Sequence, residues 1–179
     1  MSRLLEAAEL RQRAAESRAA VFDIDGVMTD GRLHYDAAGN AAQSFHAHDG
    51  WGLKALIRQG LTVIALSARR TAAAKARLDD LGIVHYRFGV EDKLAALEQI
   101  LKMLEVPLAA VCYSGDDWND VPVLRVAGLA CAPASAQPCA RALAHYVTTL
   151  PAGFGAVREI CELLLEAHGG YSPLTVDDR

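Results

Sequence analysis

Six short apolar runs recur along the chain: AAVFDI (19–24), LTVIALS (61–67), IVHYRF (83–88), AAVCYSG (109–115), AGLAC (127–131) and HYVTT (145–149). Each is followed by a stretch of helical periodicity, expected over 50–59, 71–81, 91–104, 118–126, 135–143 and 153–167. A half-exposed strand alternates apolar and polar residues, whereas runs this uniformly apolar suit parallel strands covered by helices on both faces. Gly60 and Gly82 stand where two of the helices need a left-handed C-terminal cap. Strand, helix, strand at this spacing predicts right-handed crossovers and a doubly wound, Rossmann-like parallel α/β sheet. A chain of 179 residues, 52% of them apolar, can bury one such core.

One interval breaks the rhythm. Residues 31–48 read as two short strand-like pieces around Asp36-Ala-Ala-Gly-Asn40, a β-hairpin inserted before the second long strand. Residues 1–18 are expected to form a separate amphipathic helix that packs through Leu4, Leu5, Ala8 and Leu10. The domain proper then spans 19–168, and 169–179 (GGYSPLTVDDR), without periodicity, reads as a mobile tail. A formal charge of −4 leaves no basic footprint for nucleic acid. No apolar run approaches the about 18–20 residues of a membrane span, and MSRLLEAAELRQRAAES is too charged for a secretory signal. Cys112, Cys131, Cys139 and Cys161 form no CxxC pair and read as buried free thiols in a reducing compartment. A cytoplasmic protein with neither a nucleic-acid nor a membrane partner is expected.

The chemistry lies at the strand ends. Ligands of open α/β sheets bind beyond the carboxyl ends of the strands, and Asp23 and Asp25 lie there, followed at once by Gly26. Two carboxylates ~4 Å apart repel by roughly 4 kcal/mol at an effective dielectric of 20. A cation, or a role that keeps one carboxyl protonated, relieves that. Alone, such a pair is most often a turn or a helix cap. Three more strand ends change the weighting: Ser67 closes the second run, Lys93 opens the helix after the third, and Ser114-Gly115-Asp116-Asp117 closes the fourth. Asp23, Asp25 and Asp116 suit a hard divalent cation with oxygen ligands, Mg2+ above all. Ser67 and Lys93 are the donor types that a phosphoryl group beside that ion needs.

DIDGV (23–27), Ser67, Lys93 and GDDWND (115–120) together resemble, in order, the four motifs of the haloacid-dehalogenase superfamily. The resemblance implies that Asp23 is a nucleophile that forms an aspartyl-phosphate, and that Asp25 is the general acid and then the general base. It implies Mg2+ held by the Asp23 side chain, the Asp25 main-chain carbonyl and Asp116, with Asp117 and Asp120 in support. Ser67 and Lys93 would hold phosphoryl oxygens. The intervals between motifs leave room for a hairpin but for no cap domain.

From about residue 19 to 168, through DGVMTDGRLHYDAAGN, FHAHDGWGLKAL and GFGAVREICELLL, the chain is similar to the 3-deoxy-D-manno-octulosonate 8-phosphate phosphatases of lipopolysaccharide precursor synthesis. That similarity implies a homotetramer in which a neighbour's hairpin and tail cover the site, and a small sugar-acid phosphate as substrate. Its substrate contacts fall on His46, His48, Asp49, Gly50, Lys54, Arg69, Arg77 and Lys93. His48 stands where the family shows arginine, and an imidazole lacks the permanent charge and bidentate fork that hold a carboxylate. Ser67-Ala-Arg69 replaces Thr-Gly-Arg, and Ala152-Gly153-Phe154-Gly155 replaces a glycine pair. A related nine-carbon sugar-acid phosphate, or relaxed specificity, is the alternative within this chemistry.

On a strand, His46 and His48 would share one face, for substrate or subunit contact before metal binding. Arg69 is a rim guanidinium for a phosphate or a carboxylate, Arg158 an interface or structural residue, and Trp51 and Trp118 packing aromatics. The stripe Val157, Ile160, Cys161, Leu164, Leu165 reads as core or interface. A receiver-type phosphoacceptor domain offers similar residue types, but its acceptor aspartate lies on the third strand, and the order here disfavours it.

Overall fold

The computed structural model describes residues 3–170. In chain order the strands are β1 (Ala19–Asp23), β2 (His34–Tyr35), β3 (Ala41–Ala42), β4 (Thr62–Ser67), β5 (His85–Phe88), β6 (Val111–Ser114), β7 (Leu129–Ala132) and β8 (Tyr146–Val147). The helices are α1 (Ala7–Glu16), α2 (Ala47–Arg58), α3 (Ala72–Leu81), α4 (Lys93–Leu104), α5 (Val121–Leu124), α6 (Pro138–Leu143) and α7 (Ala156–Ala167). Each of the six apolar runs contains a strand, and these six form one parallel sheet in the order β5-β4-β1-β6-β7-β8. The chain winds outward from β1 through β4 to β5, then returns to the other side of β1 with β6. The strand order therefore reverses between β1 and β6, and the crevice at their carboxyl ends is the binding position of a doubly wound sheet.

Alternation along the strands sends side chains to two cores, one on each face. Ala20, Phe22, Val63, Ala65, Cys112 and Cys131 face α2 and α7, where the stripe Val157, Ile160, Cys161, Leu164 and Leu165 is buried. Ala19, Val21, Ile64, Leu66, Val111 and Tyr113 face α4 and α5, where Leu97, Ile100 and Leu124 are buried. Gly82, at φ +73°, ends α3 as a left-handed cap, and Gly60, at φ +92°, follows α2. β2 and β3 pair as a separate antiparallel hairpin, His34 opposite Ala42 and Tyr35 opposite Ala41. Its turn is tied by Asp36, whose carboxylate accepts from the backbone N–H of Ala38 and Asn40.

Four local expectations are corrected. α2 starts at Ala47, so His46 precedes the helix and His48 lies in its first turn, rather than both on a strand. The helix-favouring Ala47 and the acidic Asp49 in the first turn suit that earlier start. The first helix starts at Ala7 because the chain before it is held extended, with Leu5 N–H bonded to the His145 carbonyl. Leu4 and Ala8 are consequently exposed, and Ala14 is the buried residue of α1. Residues 118–126 fold as a 3-10 turn, Trp118–Asp120, before a short α5, rather than as one helix. Asp117 and Asp120 form a reciprocal cap at that turn, and the pyrrolidine of Pro122 suits the new helix start beyond it. β1 ends at Asp23, and Asp25 belongs to a tight turn over Ile24–Met28 in which Gly26 sits at φ +93°. Of the tail expected over 169–179, residues 171–179 lie outside the described residues.

Candidate active site

Asp23 stands at the end of β1 with its side chain 7% exposed. Lys93, the first residue of α4, reaches it beneath the sheet's end, with Nζ 2.8 Å from Asp23 Oδ1 and 2.7 Å from Asp120 Oδ1. The Lys93 and Asp120 side chains have no exposure at all. Asp120 is saturated: Oδ1 accepts from Lys93 and from the Tyr113 hydroxyl, and Oδ2 accepts from Asp116 N–H at 2.9 Å and Asp117 N–H at 3.1 Å. A carboxylate offers about four lone-pair positions, and all four are used. Asp120 thus fixes both the lysine and the loop that carries Asp116. Gly115 leaves room for it, since a Cβ there would lie 2.4 Å from Asp120 Cβ.

Carboxylate oxygens of Asp23, Asp116 and Asp120 lie within 4.8 Å of one another. Burial, then the charge of Asp120, holds the Asp23 carboxyl well above the usual carboxylate range, against the pull of Lys93. The same two causes push Asp116 up to about 7. Burial alone would lower Lys93, but Asp23 and Asp120 outweigh it and keep the ammonium charged. One lysine therefore faces three carboxyl groups, and the site is short of positive charge. Its donors are all oxygen, and Asp116 has room to turn toward Asp23 because Gly26 lacks a Cβ, which would come within 2.2 Å of Asp116 Oδ2. This set fits a hard divalent cation, with Asp23 and Asp116 as the available carboxylate ligands.

A cavity of about 330 Å³ opens above these groups, lined by Asp23, Asp25, Ser67, Arg69, Asp116 and Trp118. Ser67 is buried at the end of β4, and its Oγ accepts from Arg69 N–H at 3.0 Å. Asp25, 18% exposed, has Oδ2 3.8 Å from Arg69 Nε and Oδ1 accepting from Gln43 Nε2 at 2.6 Å. Arg69 also donates to the Tyr35 hydroxyl at 2.9 Å, so the hairpin leans over its own chain's cavity. Asp117 is exposed and caps the 3-10 turn, accepting from Trp118 N–H at 2.7 Å. A larger groove of about 460 Å³ along β5, walled by Tyr86 and Phe88, contains no carboxylate and is not a place for this chemistry.

The structure divides the residues singled out from the sequence into two groups. Asp23, Asp25, Ser67, Arg69, Lys93, Asp116, Asp117 and Asp120 meet at the β1/β6 crevice. His46, His48, Asp49, Gly50, Lys54 and Arg77 gather instead around the start of α2, outside the cavity wall. There Asp49, 3% exposed, accepts from Arg158 N–H at 2.8 Å in the first turn of α7, and burial raises its carboxyl. Arg77 pairs with Asp80 at 2.9 Å and passes over Gly50, where a Cβ would lie 2.1 Å from Nη2. Lys54 is 3.8 Å from Asp80, and the rings of His46 and His48 meet edge to face. Three functional neighbours escaped the sequence reading: Gln43, Thr71 and Tyr113. Only Tyr113 carried a signal, because a hydroxyl in the apolar run AAVCYSG needs a buried partner.

Residues 89–160 match the family of haloacid dehalogenase-like hydrolases. The 3-deoxy-D-manno-octulosonate 8-phosphate phosphatase of Yersinia pestis is 40% identical over 156 residues, which cover 87% of this chain and 83% of that protein. A Pseudomonas syringae protein described as a probable YrbI-family phosphatase superposes with a TM-score of 0.90 at 43% identity, over 92% of this chain and 93% of that one. The Moraxella catarrhalis 3-deoxy-D-manno-octulosonate 8-phosphate phosphatase, solved with a magnesium ion, a phosphate ion and a KDO molecule, superposes with a TM-score of 0.88. It is 36% identical and covers 90% of this chain and 93% of that one. These likenesses set the receiver-type alternative aside, and the chain belongs to the 3-deoxy-D-manno-octulosonate 8-phosphate phosphatase family of haloacid dehalogenase-like hydrolases.

Proposed function

We propose that the chain is a Mg2+-dependent phosphomonoesterase that hydrolyses 3-deoxy-D-manno-octulosonate 8-phosphate to the free sugar acid and phosphate. The observation that carries this reading is the buried chain Asp23–Lys93–Asp120, set beside Asp116 at the switch point of the sheet. Lys93 holds Oδ1 of Asp23, which leaves the other carboxylate oxygen as the nucleophile. That oxygen forms a bond to phosphorus as the ester P–O bond breaks, and Asp25 gives its proton to the departing alkoxide. Asp25 then takes a proton from the water that attacks the aspartyl-phosphate, and phosphate leaves with the Asp23 carboxylate restored. Ser67 and Lys93 donate to the phosphoryl oxygens. Mg2+, held by the side chains of Asp23 and Asp116 and the main-chain carbonyl of Asp25, supplies the positive charge that offsets nucleophile and phosphate. Asp117 and Asp120 support it by fixing the loop that bears Asp116.

Arg69 is the positive group at the cavity wall for the sugar acid. The residues around the start of α2 lie outside this wall, which favours their acting in a tetramer, where surfaces of neighbouring subunits meet. Leu33, Tyr35 and Trp51 are large and exposed, as a covering neighbour requires. His48 in place of the family's arginine keeps a nine-carbon sugar-acid phosphate as the second substrate reading. Four free cysteines fit work in the cytoplasm, and no helix among the described residues is long and apolar enough to cross a membrane.

The test is phosphate release by the Mg2+-loaded protein from the eight-carbon and nine-carbon sugar-acid phosphates and from p-nitrophenyl phosphate. The highest kcat/KM is expected for the eight-carbon substrate. Preference for the nine-carbon ester would overturn the substrate, and release from none of them would overturn the enzyme reading.

A further inference from the structure

The hairpin is fastened to the cavity at two places, and the second does more than dock it. Tyr35, on β2, is tied to Arg69 by a hydrogen bond of 2.9 Å and lies beneath its guanidinium, 5.7 Å from the ring centre. That contact already anchors the hairpin. Gln43, just after β3, makes a different connection: Nε2 donates to Asp25 Oδ1 at 2.6 Å, and Oε1 accepts from Thr71 Oγ1 at 2.5 Å. Thr71 is the N-cap of α3 and accepts from Ala74 N–H at 3.0 Å.

This relay has a direction. Thr71 Oγ1 accepts from Ala74 N–H and donates its own hydroxyl hydrogen to Gln43 Oε1. The amide of Gln43 is thereby oriented with its NH2 toward Asp25. Asp25 Oδ1 is then an acceptor, which leaves Oδ2, 3.8 Å from Arg69 Nε, as the oxygen that carries the proton in the proposed transfer. A carboxyl able to rotate would present that proton to the leaving oxygen for a fraction of the time. One pinned at Oδ1 presents it in a fixed direction, the geometric condition for general acid catalysis.

We infer that Gln43, held in turn by Thr71, is a positioning residue that fixes the carboxyl of Asp25 for proton transfer to the leaving alcohol. The inference rests on Asp25 as the proton donor proposed above. In the step concerned, the Asp25 Oδ2–H proton moves to the ester oxygen as its bond to phosphorus breaks and the bond from Asp23 forms. Asp25 is left ionised, with the Gln43 N–H still on Oδ1. No second subunit is required for this contact, so the hairpin works on its own chain's chemistry.

Leaving-group dependence tests it, because an alkoxide needs the proton and a dinitrophenolate does not. The kcat/KM of the Mg2+-loaded full chain is measured for an alkyl phosphate and for 2,4-dinitrophenyl phosphate in wild type, Gln43→Met, Thr71→Val, Thr71→Ser and Asp25→Asn. Gln43→Met keeps the side-chain length and removes both hydrogen bonds. It is expected to lose about 10-fold or more on the alkyl ester and under about 3-fold on the dinitrophenyl ester, a part of the 10²–10⁴ that general acid–base catalysis supplies. Thr71→Val is expected to follow it, and Thr71→Ser, which keeps the hydroxyl, to behave as wild type. Beryllium fluoride capture at Asp23 should be unchanged in Gln43→Met, which shows that the rest of the site is intact. Equal losses on both esters, or no loss, in Gln43→Met would overturn the inference while Asp25→Asn still discriminates between the esters. If Asp25→Asn itself fails to discriminate, the proton-donor role of Asp25 is wrong, and the positioning role falls with it.

Discussion

The ammonium of Lys93 stands 2.8 Å from Oδ1 of Asp23, and neither side chain is more than 7% exposed. An ion pair removed so far from water is held together by geometry, and removing one member leaves the other charge stranded. Lys93→Met strands two, because Asp120 depends on the same ammonium. The metal-free variant is expected to be less stable by about 3–5 kcal/mol in urea denaturation. Phosphate release is expected to fall by at least ~100-fold, since the proposed mechanism also has the lysine donate to the transferring group. A variant as stable as wild type would contradict the pairing.

Tyr113 gives a smaller and cleaner perturbation. It is fully buried, and its hydroxyl is one of four donors to Asp120. Burial, followed by the nearby charge of Asp120, raises the phenol well above its usual range, so it remains a donor. Tyr113→Phe keeps the ring and removes only that donor, at an expected cost of about 1–3 kcal/mol, read by chemical denaturation. Turnover should fall less than in Lys93→Met, because three donors to Asp120 remain. Loss of all activity would mean that Tyr113 has a direct part in the chemistry.

Metal binding should depend on pH with a definite sign. The Asp116 carboxyl is raised to about 7 from a usual value near 3.8, and Asp23 is raised as well. Folded values above unfolded ones mean that the folded state retains these protons. The stability they lend is complete below about pH 4 and is lost as pH rises through about 7. Mg2+ replaces the protons, so its stabilisation grows over the same window. Saturating Mg2+ is expected to raise Tm more at pH 8 than at pH 5, and an equal gain at both would contradict the carboxylate site.

A second titration lies on the far edge of the sheet. His145 is 3% exposed, and its Nδ1 accepts from Ala130 N–H at 3.0 Å. Burial, with Arg3 close by, lowers its pKa to about 4 from 6.5. The folded value is below the unfolded one, so the stability is present above pH 6.5 and is lost as pH falls toward 4. The loss across that window is about 3 kcal/mol. Urea midpoints at pH 7 and 4.5 should converge in His145→Gln relative to wild type. Unchanged pH dependence in the variant would exclude His145 as its source.

Why some of this was legible in the chain and some was not follows from distance. Phe22, Ile64 and Tyr113 lie between helices on both sides of the sheet, so their strands are apolar throughout and stand out. Asp23, Ser67, Lys93 and Asp116 could be grouped because strand ends in a parallel sheet converge, whatever the loop lengths. The start of α2 was misplaced by three residues, since His46-Ala47-His48 reads as strand alternation and only Ala47 and Asp49 favour the earlier helix start. Asp49 was expected to touch substrate, and nothing near it in sequence signals that its carboxylate accepts from the first turn of α7, 109 residues away. Gln43 lies 18 residues from Asp25, and only the folded hairpin joins them.

The most direct measurement is on Asp23 itself. Mg2+-loaded protein is mixed with substrate, quenched in acid within a turnover, and digested for mass spectrometry. One phosphoryl group is expected on the peptide that contains Asp23, while Asp23→Asn is expected to give neither phosphopeptide nor phosphate release. A phosphoryl group on another residue, or turnover retained in Asp23→Asn, would contradict the assignment of Asp23 as the nucleophile.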